Sequence, residues 1–416
     1  MMRSLLDIYR HEGWLPDCRM SLCKGFTQGG SNADIVLTDH YLKIRSLSDE
    51  IDWATAYEAL VRDAEEEPEN WSVQGRGGLH SWKNLHYIPT DDYDPYGVGP
   101  FTRSISRTVE YAYDDFCIAL MAQSLNHTAD AAKYFARSQY WRNMYHPTQN
   151  SSINGTDTGF TGFLQPRYPN GTWGFQDPIF CSPLLNFTSC YLNPDGHETY
   201  EGSAWLYTTF APHDQAALIA TLGGPDAFVA RLDYLHDSGL LYLGDEQAFL
   251  PIFQYHYAGR PAKSALRLHT YIPRLFNTTR VGIPGNDDSG AMGSFLALAM
   301  MGLWPNPGQD VYLIVPPFFQ SWSVTNPLTG RTATVRSRGF EGGDAGEGKV
   351  FIQRAWLDGV VYTRNWIGHG FFRDGGVLEV EVGWEESAWG TGEGDLPPSL
   401  STGGGYEMEM GMEGVW

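Results

Sequence analysis

The chain has 416 residues, 42% of them hydrophobic, with a net charge of −21 at pH 7 and a pI of about 4.9. A chain of this length and apolar content can bury a sizeable core in one large unit or in about two or three domains. Its acidity argues against a nucleic-acid partner, which needs a basic surface, and it holds no apolar run of about 18 residues with which to span a bilayer.

Met1-Met2-Arg3-Ser4-Leu5-Leu6 starts like a signal peptide, but Asp7, Arg10, His11 and Glu12 interrupt the apolar stretch that a signal needs. The start therefore reads as an amphipathic helix. Apolar residues at three- and four-residue steps predict helices over 2–12, 51–66, 103–124, 128–147, 203–221, 225–236, 246–258, 262–274 and 289–303. Gly223-Gly224-Pro225 ends one helix and opens the next. Long loops rich in Gly, Pro, Trp and acids separate these helices at 13–32, 67–102, 149–201 and 276–288, and loops of such length in a compact protein tend to carry function. From about residue 308 the period falls to two, which predicts strands over 310–315, 332–337, 349–355, 360–365 and 376–382. The tail, 385–416, has no period and is expected to be disordered. The predicted architecture is mainly α: a toroid of paired helices over 1–304, its long loops gathered at one end, followed by an antiparallel β module over 305–384.

Gly285-Asn286-Asp287-Asp288-Ser289-Gly290 places two adjacent carboxylates between glycines at the entry to the apolar run Met292 to Leu303, which predicts a buried helix. Such acids either cap a helix or sit on an active-site loop. Two more acidic loops, Tyr200-Glu201-Gly202-Ser203 and Gly244-Asp245-Glu246-Gln247, favour the second reading. The chain lacks Gly-x-Ser-x-Gly, a P-loop and a dinucleotide fingerprint. Loop carboxylates among Trp, Tyr and His fit glycoside hydrolysis, in which one carboxylic acid protonates the leaving oxygen and a second carboxylate acts as nucleophile or activates water. Trp14 and Trp82 are candidate walls of such a site, with core packing as the alternative for each tryptophan. Cys181 and Cys190 flank a short loop and are candidates for a disulfide; Cys117 reads as a buried thiol. Asn126, Asn150, Asn154, Asn170, Asn186 and Asn277 each begin an Asn-X-Ser/Thr sequon, the mark of surface loops in a secreted protein.

Several stretches, in this order, resemble the calcium-dependent exo-α-mannosidases of glycoside hydrolase family 92, in particular the fungal members. They are His11-Glu12-Gly13-Trp14-Leu15-Pro16, Gly25 to Asp34, Gly75-Arg76-Gly77-Gly78-Leu79, Ser106 to Asp115, Gly171 to Pro178, Tyr200 to Trp205, Pro212-His213-Asp214 and the Gly285 to Gly290 loop. The resemblance runs to about residue 383 and implies an (α/α)6 toroid, here incomplete, that releases terminal α-mannose from N-glycans or mannan with inversion. It implies Glu201 as general acid and Asp288 as general base, with Asp287 beside it. Calcium is implied as cofactor, with Glu246 and Asp288 as candidate ligands and Asp245 and Gln247 behind them. Trp173, Asp177, Trp205 and Asn286 are implied sugar contacts. The family's N-terminal β-sandwich and its Trp-Asp-x-x-Arg helix have no counterpart in the sequence, so the chain is expected to be the C-terminal part of a longer secreted protein, with the sandwich as its missing partner. Competing readings are a glycan-binding remnant without catalysis and an (α/α)6 carbohydrate-active enzyme of another specificity.

Overall fold

The computed structural model describes residues 1–17, 31–47, 50–93, 95–99, 102–187, 190, 196–342 and 348–403. Cys18, Cys23, Gly25 to Gly30 and the tail from 404 onward lie outside them. The first half is helical: α1 (Met2–Glu12), α2 (Asn32–Ile44), α3 (Trp53–Glu65), α4 (Leu79–Leu85), α5 (Ser104–Ser124) and α6 (Thr128–Arg137). An antiparallel hairpin follows, β1 (Tyr145–Ile153) and β2 (Thr156–Leu164). Helices then resume as α7 (Ala204–Tyr207), α8 (Gln215–Thr221), α9 (Pro225–Asp237), α10 (Phe249–Phe253), α11 (Pro261–Leu275) and α12 (Ala291–Met301).

The pivot is α5, which is buried on every side from Ser104 to Met121 except at Glu110. A helix apolar or small on all faces is an inner helix. Against it packs α3 through Ala56, Leu60 and Ala64, and α1 joins the same core from beyond α3 through Leu5, Leu6 and Tyr9. Helix ends follow local chemistry. Asp52 accepts the Thr55 amide at the start of α3, and Pro225 and Pro261 open α9 and α11 at the first turn.

The C-terminal part is built on two sheets. β3 (Leu303–Asn306), β4 (Val311–Ile314) and β9 (Trp366–Ile367) form one, in the order β3-β4-β9. β5 (Ser321–Thr325), β6 (Thr332–Arg338), β7 (Phe351–Leu357), β8 (Val360–Val361) and β10 (Val377–Gly383) form the other, in the order β5-β6-β10-β7-β8. The pairings are antiparallel apart from β6 with β10, which is parallel; the short helix α13 (Gly370–Asp374) precedes β10. Alternating burial along β10, with Leu378, Val380 and Val382 inward, is the period of two that the sequence shows.

Several expectations are corrected. The segment expected to be helical over 128–147 stops at Arg137, turns through Tyr140–Met144 and becomes β1. The span 203–221 breaks into α7 and α8 around Pro212, and 246–258 holds only the short α10 between tight turns. Helix α4 and most of the β1–β2 hairpin occupy spans expected to be loops, and α2 lies where no element was expected. Helix α12 is apolar throughout yet buries only Met292, Phe295 and Ala299. Disorder was expected from residue 385, but 385–403 is tied down. Ser387 donates to the Ile352 carbonyl, Trp389 Nε1 to the Tyr362 carbonyl and Ser399 Oγ to Asp214 Oδ1, and Leu400 packs with Phe116 and Leu120.

Candidate active site

Three loops bring the predicted acids together. The first runs into α7. Glu198 accepts the Ser104 amide at 3.0 Å and the Thr90 hydroxyl at 2.5 Å, which fixes this loop to the start of α5 and sets a carboxylate at the positive end of a helix. Arg103 lies over the Tyr200 ring, 4.7 Å from its centre. Glu201 follows with a left-handed backbone, φ 56°, and Ser203 caps α7. A non-glycine residue in that region is strained, and such strain gathers at functional sites.

The second loop crosses the third. A Cβ on Gly285 would lie 2.1 Å from the Gly244 carbonyl oxygen, so these two backbones approach more closely than a side chain allows. Tyr242 donates its hydroxyl to the Pro284 carbonyl and locks the crossing. Gly285→Ala is expected to push the loops apart at a cost of about 1–3 kcal/mol, which thermal unfolding reads.

The two acids of the hexapeptide divide their work. Asp287 is exposed, and its Oδ1 accepts the Gly293 amide at 3.1 Å while its carbonyl accepts from Gly290 and Ala291; it serves the start of α12. Asp288, at φ 42°, turns the other way and is half-buried. Its charge acts on both Glu201 and Glu246, and it shares a hydrogen bond with Glu246. Asn286 is exposed beside them.

Burial pushes the Glu201 carboxyl above its usual range; the Asp288 charge adds to this, and hydrogen bonds from Gln247 and Tyr200 and the Arg103 charge oppose it. Gln247 Nε2 donates to Glu201 Oε2 at 3.0 Å. Burial, with Asp288 and Glu201 adding, pushes Glu246 to about 7. Two buried oxygens here, Glu246 Oε1 and Gln247 Oε1, have no hydrogen-bond partner among the described residues. Asp245 is buried next to them. This all-oxygen donor set suits a hard cation such as calcium. Among the described residues three metal-ligating side chains converge only at Cys181, Cys190 and His197, and there the two sulfurs are joined as a disulfide.

The tryptophans separate. Trp173 is 37% exposed, with its ring 4.6 Å from His146 and the Arg167 guanidinium 4.8 Å from its centre. Trp82 and Trp205 are fully buried, which corrects their expected roles as sugar contacts. Trp82 donates to Asp115 and meets Tyr111 edge-on, and Trp205 donates to Ser151 and stacks on Tyr234. Trp14 packs under the Arg62 guanidinium. Asp177 accepts the Ile179 amide and shapes its own turn. The six sequon asparagines singled out from the sequence are exposed, as is Asn70, which begins a seventh sequon, Asn70-Trp71-Ser72. Cys117 is a buried free thiol.

Glu110 was not singled out from the sequence. It is partly accessible although packed around by protein, it has no hydrogen bond or ion pair among the described residues, and burial pushes it to about 8. Its charge and that of Glu201 both act on Tyr207, so it belongs to the same interior. A separate groove of about 490 Å³ lies between α1 and α3, lined by Tyr9, Tyr57, Glu58 and Asp130 among others. Its acids are already engaged, Glu58 by Tyr9 and Asp130 by Tyr57, so it is a poor site for chemistry.

The fold is thus a mainly helical body that carries a carboxylate centre on three loops, with a C-terminal β module. The glycosyl hydrolase family 92 catalytic domain matches residues 1–384, and the chain belongs to that family. It is 60% identical over 399 residues to an uncharacterized secreted glycosidase of Arthroderma benhamiae, covering 96% of this chain and 51% of that protein. A family 92 inverting mannosidase of Bacteroides thetaiotaomicron superposes with a TM-score of 0.78 at 24% identity, over 96% of this chain and 52% of that one. A family 92 α-mannosidase of the same organism, in complex with mannoimidazole, does so with a TM-score of 0.76 at 21% identity, over 96% and 50%. The chain thus spans about half the length of the relatives it matches. Among the described residues no helix is long and apolar enough to cross a membrane.

Proposed function

We propose that the protein acts in the release of terminal α-linked mannose from glycans with inversion, Glu201 serving as general acid and Asp288 as general base. The observation that carries this reading is the meeting of Glu201, Glu246 and Asp288 from three separate loops, with Glu201 and Asp288 both on left-handed backbone. Burial favours the protonated form of Glu201, as an acid catalyst needs. In this reading Asp288, half-buried beside it, takes the proton from the attacking water. Asn286 and Trp173 are exposed on the flanking loops, where they can contact sugar.

Calcium fits the orphaned oxygens of Glu246 and Gln247, with Asp288 and Asp245 adjacent. When bound it would supply positive charge and coordination positions for sugar hydroxyls. Residues 1–304 form the catalytic part in this reading, with 305–384 packed on it. The kinship to a secreted glycosidase and the exposed sequons support a place in the secretory pathway or outside the cell.

Mannose release from α-mannobioses, measured with calcium and then with a chelator, tests the reading. Calcium-dependent release is expected. Release that survives chelation sinks the calcium assignment. Glycan binding without release would instead support a binding protein.

A further inference from the structure

Tyr168-Pro169-Asn170-Gly171-Thr172 closes a small hairpin. The Gly171 amide donates to the Tyr168 carbonyl at 2.9 Å, and the Tyr168 amide to the Thr172 carbonyl at 2.9 Å. Pro169 sits second in the turn, Asn170 third, and Gly171 takes the left-handed conformation at φ 83°. This is a type I turn with a glycine bulge. It is held from behind, because Arg167 donates to the Gly171 carbonyl at 2.9 Å and lies between Tyr87 and Trp173, and the Tyr87 hydroxyl donates to the Tyr168 carbonyl.

Within the turn, Asn170 Oδ1 accepts both the Thr172 amide at 3.0 Å and the Thr172 hydroxyl at 2.7 Å. Its Nδ2 donates to nothing among the described residues and faces solvent with the exposed side chain. The sequon is thus pre-folded with asparagine and threonine joined and the amide nitrogen free. Two residues before Asn170, the Tyr168 ring is 37% exposed and comes forward on the same rigid turn. Asn277 shows the same asparagine–threonine bonding, but Leu275 stands two residues before it. Of the seven sequons in the sequence, Asn70-Trp71-Ser72 among them, only that of Asn170 has an aromatic residue at that spacing.

We propose that Asn170 carries an N-linked glycan whose first N-acetylglucosamine packs its C–H face on the Tyr168 ring, on the hairpin that also bears Trp173. The aromatic face suits the apolar face of a pyranose. The donor is an oligosaccharide linked through diphosphate to a polyprenyl lipid. The Asn170 Nδ2–C1 bond forms as the C1–oxygen bond to diphosphate breaks; the lipid diphosphate leaves with the bonding pair, and the amide gives up one proton. The hairpin runs on through Phe175, 68% exposed, to Gln176, whose Nε2 donates to Thr199 and whose Oε1 accepts the Glu198 amide. The glycan therefore stands at the rim of the loop that holds Glu201.

The test is site-resolved glycopeptide mass spectrometry of the chain secreted from a eukaryotic host behind the host's own leader. It needs no hydrolytic activity, so its outcome is independent of the proposed reaction. Asn170 is expected to be almost fully modified, Thr172→Ala to abolish the modification and Tyr168→Ala to lower occupancy several-fold. An unmodified Asn170 in the secreted wild-type chain overturns the proposal. Occupancy unchanged by Tyr168→Ala overturns the packing on the ring, and because this comparison is made on secreted protein, a folding defect cannot mimic it.

Discussion

Replacing Arg76 with methionine is expected to destabilise the fold by about 3–5 kcal/mol at neutral pH, the usual cost of breaking a buried ion pair from one side. The guanidinium is wholly buried and donates at 2.6 Å to Asp34 of α2 and at 2.6 Å to Asp115 of α5, with Asp114 at 3.8 Å. Asp63 of α3 is part of the same cluster, joined to it through the Ser31 hydroxyl and held well above the usual range by burial and by Asp34. Burial pushes Asp34 to about 6 even with Arg76 beside it, and it also raises Asp114 and Asp115. The sign follows from these raised values. A carboxyl whose folded-state pKa lies above its unfolded one contributes stability that is complete below the ordinary carboxylate range and is lost as pH rises through the folded-state value. Without the opposing guanidinium these acids shift further up, so the deficit of Arg76→Met grows from about pH 4 toward neutrality and shrinks in acid. Denaturant unfolding at pH 4.5 and 7.5 checks this. An equal deficit at both values would show that lost packing, rather than uncompensated charge, is the cause.

That cluster also explains why the sequence was legible where it was. Gly75 to Leu79, Ser106 to Asp115 and the Asp34 end of another motif are far apart in the chain, yet they meet at Arg76. Gly77 in the first of them has no room for a side chain, because a Cβ would overlap the Trp71 ring at 1.9 Å. Long helices such as α3, α5 and α9 and strands β6 and β10 announce themselves by period, because each has a face set by the core. The β1–β2 hairpin was read as loop because Tyr145–Ile153 is polar and mostly outside the core, although Asn154-Gly155 between the strands is a strong two-residue turn signal. Helix α2 was hidden by its aspartates. Asp34 is buried against Arg76 and Asp39 faces Lys43, neither of which an apolar pattern reveals. For the tail, local sequence has no say at all: Ser399 and Ser401 are fixed by Asp214, which lies about half the chain away. The acids of the candidate site were visible as loop carboxylates, but the division between Asp287 at the helix start and Asp288 in the site depends on backbone angles that composition does not encode.

Glu201→Gln and Asp288→Asn are each expected to slow mannose release from a mannobiose by about 100- to 10,000-fold, the range for losing one positioned acid or base. The two are separable by the leaving group. A sugar alkoxide is a poor leaving group and needs the proton that Glu201 is proposed to give. An aryl mannoside with an acidic phenol leaves without help, so on it Glu201→Gln should recover most of its rate. Asp288→Asn should stay slow on both substrates, because water must be deprotonated whatever departs. Asp287→Ala is the control within the same loop. It removes the acceptor of the Gly293 amide, which should cost about 1 kcal/mol of stability and little rate. If Asp287→Ala were the slow variant and Asp288→Asn the mild one, the assignment of the base would be reversed. If Glu201→Gln stayed equally slow on the aryl substrate, Glu201 would be acting on something other than the leaving oxygen, and its contact with Gln247, a neighbour of the candidate calcium ligand Glu246, would become the place to look.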